Sequence, residues 1–228
     1  MALEPGSGPM PLDGVSYPPP PWSLRGTAYI SLWQVRRSLL PEACLPRGVR
    51  PVTMFGRVLV GAAFAVYEPG GVLAYNEVLM VLPVQRGGLP ALTVPFVWVD
   101  HPASIAGARA MWSIPKQEAA FGIQRDDTTA RAAFEAKALT TQEVPLAQLR
   151  FRSRATMPGR WPVRTTIVQR SLGRCGEYAP QVTEARALAQ VSLGAATWDF
   201  PRSGPFSFLR GRSPLTSIRL SDMSLQIG

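Results

Sequence analysis

Histidine, cysteine and lysine are scarce in this sequence: His101 is its one histidine, Cys44 and Cys175 its two cysteines, Lys116 and Lys137 its two lysines. A structural zinc site takes about four nitrogen or sulfur ligands, and three such residues cannot supply it. Two cysteines so far apart make no disulfide framework. Catalysis of the Ser-His-Asp or Cys-His kind would have to run through His101. That residue sits in a turn-like Asp100-His101-Pro102 with no nucleophile-elbow motif around it. Long apolar runs are missing as well. Residues 58–67 form one of the longest, too short to span a bilayer. The N-terminus lacks a basic stretch leading into an apolar one. These absences predict a cytoplasmic protein with no membrane partner.

Charge is sparse but one-sided. Charged residues make up 17% of the 228 and apolar residues 46%, with a net charge of +9. That balance is globular, and the length suits one domain behind an extension. A basic protein invites nucleic acid as a partner. Here the arginines are spread along the chain, and the densest group (Arg150, Arg152, Arg154, Arg160, Arg164) alternates with other residues as an exposed strand face does. With no nucleic-acid motif beside it, this reads as a solvated face or a subunit interface. Anionic substrates stay compatible with it.

What the chain does have is strand signal. Residues 1–21 are rich in proline and glycine and read as an extended arm ahead of one domain over 22–228. Apolar or alternating runs predict strands near 25–35, 51–67, 72–84, 92–99, 130–140, 149–156, 163–170, 185–193 and 217–227. Glu68-Pro69-Gly70-Gly71 and Arg86-Gly87-Gly88 mark turns between them. Residues 102–112 are the best helix in the first half, begun near Asp100 or His101 and closed by Pro115. Many short strands with few helices predict a mainly β fold, a barrel or double sheet.

Of 24 basic residues only two are lysines. Lys116 follows the predicted helix in an apolar context, Ile114-Pro115-Lys116-Gln117, whereas Lys137 lies in an alternating strand and reads as a surface residue. Arginine cannot give up its proton in a protein; a buried lysine can. The plain alternative is a surface lysine whose stem lies on Ile114 or Phe121. Glu77 lies in an otherwise apolar strand. It is either an outward charge or a pocket carboxylate needing a partner, and Arg25 is the first candidate.

The segment from Asp100-His101-Pro102-Ala103 through Ala108-Arg109-Ala110 to Pro115-Lys116, with Tyr75-Asn76-Glu77 upstream, resembles the acetoacetate decarboxylase family. The similarity runs in order from about Trp22 to Phe121. It implies an antiparallel β-barrel or double sheet, no cofactor, and a homo-oligomer. It also implies a small or medium keto acid as substrate and Lys116 as the nucleophile that forms an imine. That family is itself the standard example of a lysine activated by burial or by a neighbouring cation. An unperturbed ammonium, with a pKa near ~10.4, leaves roughly one amine in a few thousand free at neutral pH, so burial is expected to lower Lys116. Glu77 would assist proton transfer, Arg25 would hold the substrate carboxylate, and Phe96, Trp98, Ile114 and Gln117 would line the pocket. Several positions depart from the family pattern. Gln117 replaces a second lysine, Ala62 and Ala110 replace acidic residues, Ala108 replaces a glycine and Ile114 a tyrosine. Decarboxylation is the first expectation. An imine-dependent aldolase or dehydratase, and an inactive ligand-binding member, are the alternatives.

Overall fold

The structure is a computed structural model describing residues 14–40, 45–126, 132–171 and 180–228. Most of the proline-rich arm and both cysteines lie outside the described residues. Twelve strands are present: β1 (Trp22–Val35), β2 (Arg50–Pro51), β3 (Thr53–Met54), β4 (Arg57–Glu68), β5 (Tyr75–Arg86), β6 (Leu89–Val99), β7 (Lys116–Asp126), β8 (Ala133–Thr140), β9 (Pro145–Thr156), β10 (Trp161–Gln169), β11 (Gln181–Asp199) and β12 (Thr216–Ile227). One α-helix, α1 (Pro102–Trp112), lies between β6 and β7.

All twelve strands join one sheet in the order β10-β6-β7-β8-β9-β11-β12-β1-β4-β5-β2, with β3 beside β4. The ladder also pairs β5 with β6 and β10 with β11, so it returns on itself. The sheet is mixed, which corrects the antiparallel expectation: β6 runs parallel to β7, and β10 to β6. Parallel neighbours need a long crossover, and α1 supplies it for β6 and β7. That is why the one long helical segment among the described residues falls where it does.

The central strands are buried on both faces. Along β4, Val58, Val60, Ala62 and Phe64 enter one core, whereas Ala65 and Tyr67 enter a second. Along β5, Val78, Met80 and Leu82 face the first, and Tyr75 faces the second. Successive side chains point to opposite faces, so a strand between two cores reads as a continuous apolar run. The outer strands alternate instead. On β9, Leu149 and Phe151 are buried while Arg150, Arg152 and Arg154 face solvent.

Candidate active site

The second core holds an apolar cavity of about 140 Å³. Its walls come from β1, β4, β5, β6, β7, β10, β11 and β12, with Trp112 from the end of α1 and Ile114 from the turn that follows it. Chain direction there is set by a short sequence of turns. Ser113 takes a left-handed conformation (φ 54°) and its N–H donates to the carbonyls of Ala108 and Arg109. The Ile114 N–H donates to Ala108, and beyond Pro115 the Lys116 N–H donates back to the Ile114 carbonyl at 2.8 Å. Proline cannot continue the helix. Lys116 therefore becomes the first residue of β7, in register with Val97 of β6.

The Lys116 side chain is buried, and its Nζ lies 2.7 Å from Glu77 Oε2. It also donates to Ser104 Oγ at 2.9 Å and to Tyr75 Oη at 3.0 Å. An ammonium has three donors, and each has an acceptor. Tyr67 Oη donates to the other Glu77 oxygen at 3.4 Å. Asp100, expected near the helix start, instead accepts from the backbone and side chain of Asn76. This pins Tyr75-Asn76-Glu77 to the turn that begins α1.

These contacts reverse one expectation. Burial pulls the Lys116 ammonium down and is the largest single influence. The Glu77 charge, Tyr75 and the hydrogen bonds to both outweigh it, so the net direction is upward. Tyr67 is pushed well up by burial and then by Glu77. Tyr75 is pushed up by burial, against the opposing pull of Lys116. The resting centre is an ion pair flanked by two neutral phenols, not a dry free amine.

Of the residues singled out in the sequence, Lys116, Glu77 and Ile114 converge on the cavity. Arg25 does not. Trp22 and Leu24 of β1 point inward, so Arg25 between Leu24 and Gly26 points out. It lines an outer groove with Arg164 and Arg186. Phe96 and Trp98 belong to the first core, on the opposite face of β6 from Val97. Gln117 is exposed, because β7 alternation sends it away from Lys116. Ala62 lies in the first core and Ala110 is exposed on α1, so neither departure borders the cavity.

The family model for acetoacetate decarboxylase matches residues 9–166, more than half of the chain. The chain belongs to the acetoacetate decarboxylase family. The matched span contains Glu77, Ser104 and Lys116 and ends within β10. No curated protein matches at the level of sequence. Among solved structures, the chain is similar to the enduracididine biosynthesis enzyme MppR complexed with pyruvate. There the identity is 17%, 94% of this chain and 90% of that chain are covered, and the TM-score is 0.68. MppR complexed with the condensation product of pyruvate and imidazole 4-carboxaldehyde is similar at 19% identity, over 98% and 95% of the two chains, with a TM-score of 0.66. The acetoacetate decarboxylase of Legionella pneumophila is similar at 16% identity, over 92% and 86%, with a TM-score of 0.67. At these identities the likeness is one of fold.

Three residues around the Lys116–Glu77 pair, Tyr67, Tyr75 and Ser104, are not marked as site residues by the sequence, although Tyr75 stands in the Tyr75-Asn76-Glu77 stretch that carries the resemblance. Tyr67 sits opposite Tyr75 across the β4–β5 hairpin, and the hairpin register around Pro69-Gly70-Gly71 is the signal that could have found it. Ser104 is a fully buried residue near the start of α1. Its hydroxyl looks like an ordinary helix serine until the β6–β7 crossover brings α1 over the amine. Among the described residues no group of three or more His, Cys, Asp or Glu side chains is placed to hold a metal ion. No helix among them is long and apolar enough to cross a membrane.

Proposed function

We propose that this family member is an imine-forming enzyme, a carbon–carbon lyase in which Lys116 attacks the carbonyl of a small or medium substrate. One observation carries the reading: a buried lysine amine borders an apolar cavity with a carboxylate 2.7 Å away. Lys116 reaches its nucleophilic form by passing a proton to Glu77. That transfer replaces two buried charges with two neutral groups; burial favours it, while the attraction between the two charges opposes it and keeps the resting pair ionised. The amine then adds to the carbonyl carbon, and the carbonyl oxygen leaves as water after taking two protons. The protonated imine that remains draws electrons from the neighbouring carbon. Where that carbon carries a carboxylate, carbon dioxide departs, which is the decarboxylase reading for a keto acid. Where it carries a hydrogen, loss of that proton gives an enamine, the aldolase or dehydratase reading.

The second branch has specific support. Arg25, the group expected to hold a substrate carboxylate, lies outside the cavity. The similar protein MppR is recorded with a pyruvate–aldehyde condensation product, so a relative of this fold holds a product of carbonyl condensation. The deciding experiment exploits the presence of only two lysines. The protein is incubated with a panel of keto acids and ketones, reduced with cyanoborohydride and digested. Mass added to the Lys116 peptide, absent in Lys116→Arg, supports the imine. Headspace carbon dioxide then separates decarboxylation from enamine chemistry. A broad panel that leaves Lys116 unlabelled would assign the chain to ligand binding without catalysis.

A further inference from the structure

We propose that the cavity is built for an uncharged carbonyl compound with apolar substituents, and that Glu77 removes the α-proton of its Lys116 imine to give an enamine. This deepens the reading above and rests on Lys116 as the imine-forming residue. The balance of charge inside the cavity points this way. Among the described residues lining the cavity, Lys116 and Glu77 are the only charged pair, and they cancel. Tyr67 and Tyr75 stay protonated, since burial raises both. The rest of the wall is aliphatic or indole, including Leu79, Val97, Ile167 and Ile227. Arg25, Arg164 and Arg186 line a separate recess and not this cavity.

A ketone that enters as a neutral molecule leaves this balance intact. Ammonium and carboxylate plus ketone become protonated imine and carboxylate plus water, still neutral overall. The carboxylate of Glu77 then takes a proton from the α-carbon. The C–H pair becomes the C=C bond, and the C=N π pair returns to nitrogen. Enamine and carboxylic acid remain, with no charge left in the cavity. A keto acid brings a second carboxylate instead. It has no cation of its own, because Lys116 is already matched by Glu77 at 2.7 Å and its other two donors go to Ser104 and Tyr75. An uncompensated buried carboxylate is costly. The same carboxylate penalises every state up to the loss of carbon dioxide.

The probe pair is acetoacetate and 4-methyl-2-pentanone, in which an isopropyl group replaces the carboxylate at nearly constant shape. Each is titrated against the full chain with cyanoborohydride, and the labelled Lys116 peptide is quantified. α-Hydrogen exchange of the ketone in D₂O is followed by proton NMR. Half-maximal labelling is expected at a ketone concentration at least about tenfold below that of acetoacetate, a difference of about 1.4 kcal/mol. Lys116-dependent exchange is expected with the ketone. Glu77→Gln is expected to reverse the preference, because the imine cation then lacks a carboxylate and acetoacetate supplies one; it is also expected to lose the exchange. Labelling by acetoacetate at equal or lower concentration than the ketone in the unaltered chain would overturn this inference and leave the imine intact. Failure of both probes to label Lys116 would overturn the imine and this inference with it.

Discussion

Glu77 and Lys116 lie on strands that do not pair with each other, yet their side chains meet at 2.7 Å across β6. Glu77 is in register with Val99 and Lys116 with Val97, so the pair spans the strand diagonally on its cavity face. Removing one partner strands the other charge in an apolar site, whereas removing both does not. Lys116→Met is expected to cost about 3–5 kcal/mol. Adding Glu77→Leu to it is expected to restore most of that loss. Urea unfolding of the two singles and the double measures the coupling; purely additive losses would count against the pair as a unit.

Stability should fall on the alkaline side. Lys116 is raised above its ordinary 10.5, and Tyr67 and Tyr75 above 10.0. In each case the folded chain holds its proton more tightly than the unfolded one. The contribution is therefore fully present below about 10 and is lost as pH rises through the folded values. Denaturant midpoints are expected to be flat from neutrality to about pH 10 with respect to these groups, then to decline. The decline should be shallower in Tyr67→Phe. A slope unchanged by that substitution would remove Tyr67 from the alkaline response.

Glu77 also sets the pH at which the amine becomes available. With its charge gone, burial, the largest influence on Lys116, has less to oppose it. The acid limb of Lys116 labelling by a neutral ketone is expected to move down by roughly one to three pH units in Glu77→Gln, the range for a close opposite charge. Quantitative peptide mass spectrometry across pH reads the shift. A limb that stays in place would mean that the carboxylate does not hold the ammonium.

Helix α1 is seated by a missing side chain. A Cβ on Gly107 would come within 2.5 Å of Trp22 Cζ2 and 2.8 Å of Trp22 Cη2. Trp22 lines the cavity and stands edge-on to Trp112, 4.9 Å between ring centroids. Alanine in a helix interior gains about 0.5–1 kcal/mol over glycine, but overpacking costs about 1–3. Gly107→Ala is expected to be net destabilising by thermal or urea unfolding and to weaken ketone labelling through Trp22. A stabilised variant would show that Trp22 moves aside freely.

Arg25 provides the converse test. It is exposed and faces the outer groove, where solvent and salt screen its charge. Lys116 labelling by ketone in Arg25→Gln is expected to stay within about twofold of the unaltered chain. A tenfold loss would place the guanidinium in contact with substrate after all.

Much of this is legible in the chain itself. Pro102 and Pro115 bound the helix at 102–112, and its observed span agrees. Most strand runs fall near where the sequence places them, because turn residues such as Gly70 and Gly87 punctuate them locally; β7 (Lys116–Asp126) is missed, the run at 51–67 divides into β2, β3 and β4, and β11 extends well beyond 185–193. Lys116 stands out because the sequence otherwise uses arginine. What the sequence misassigns is faces. It puts Phe96, Trp98 and Arg25 around the cavity, and each sits one strand position off the residues that line it: Val97 for the first two, Leu24 for the third.

Local chemistry alone therefore established the strand-rich class and the helix at 102–112, and it made Lys116 conspicuous without choosing between a surface and a buried role, since propensity, proline placement and residue usage act over a few neighbours. Tertiary structure alone decided which side of each central strand meets the amine, and that the amine rests against a carboxylate. A period of two separates the faces of a strand without naming them. When both faces are buried, only long-range pairing determines which core each one enters.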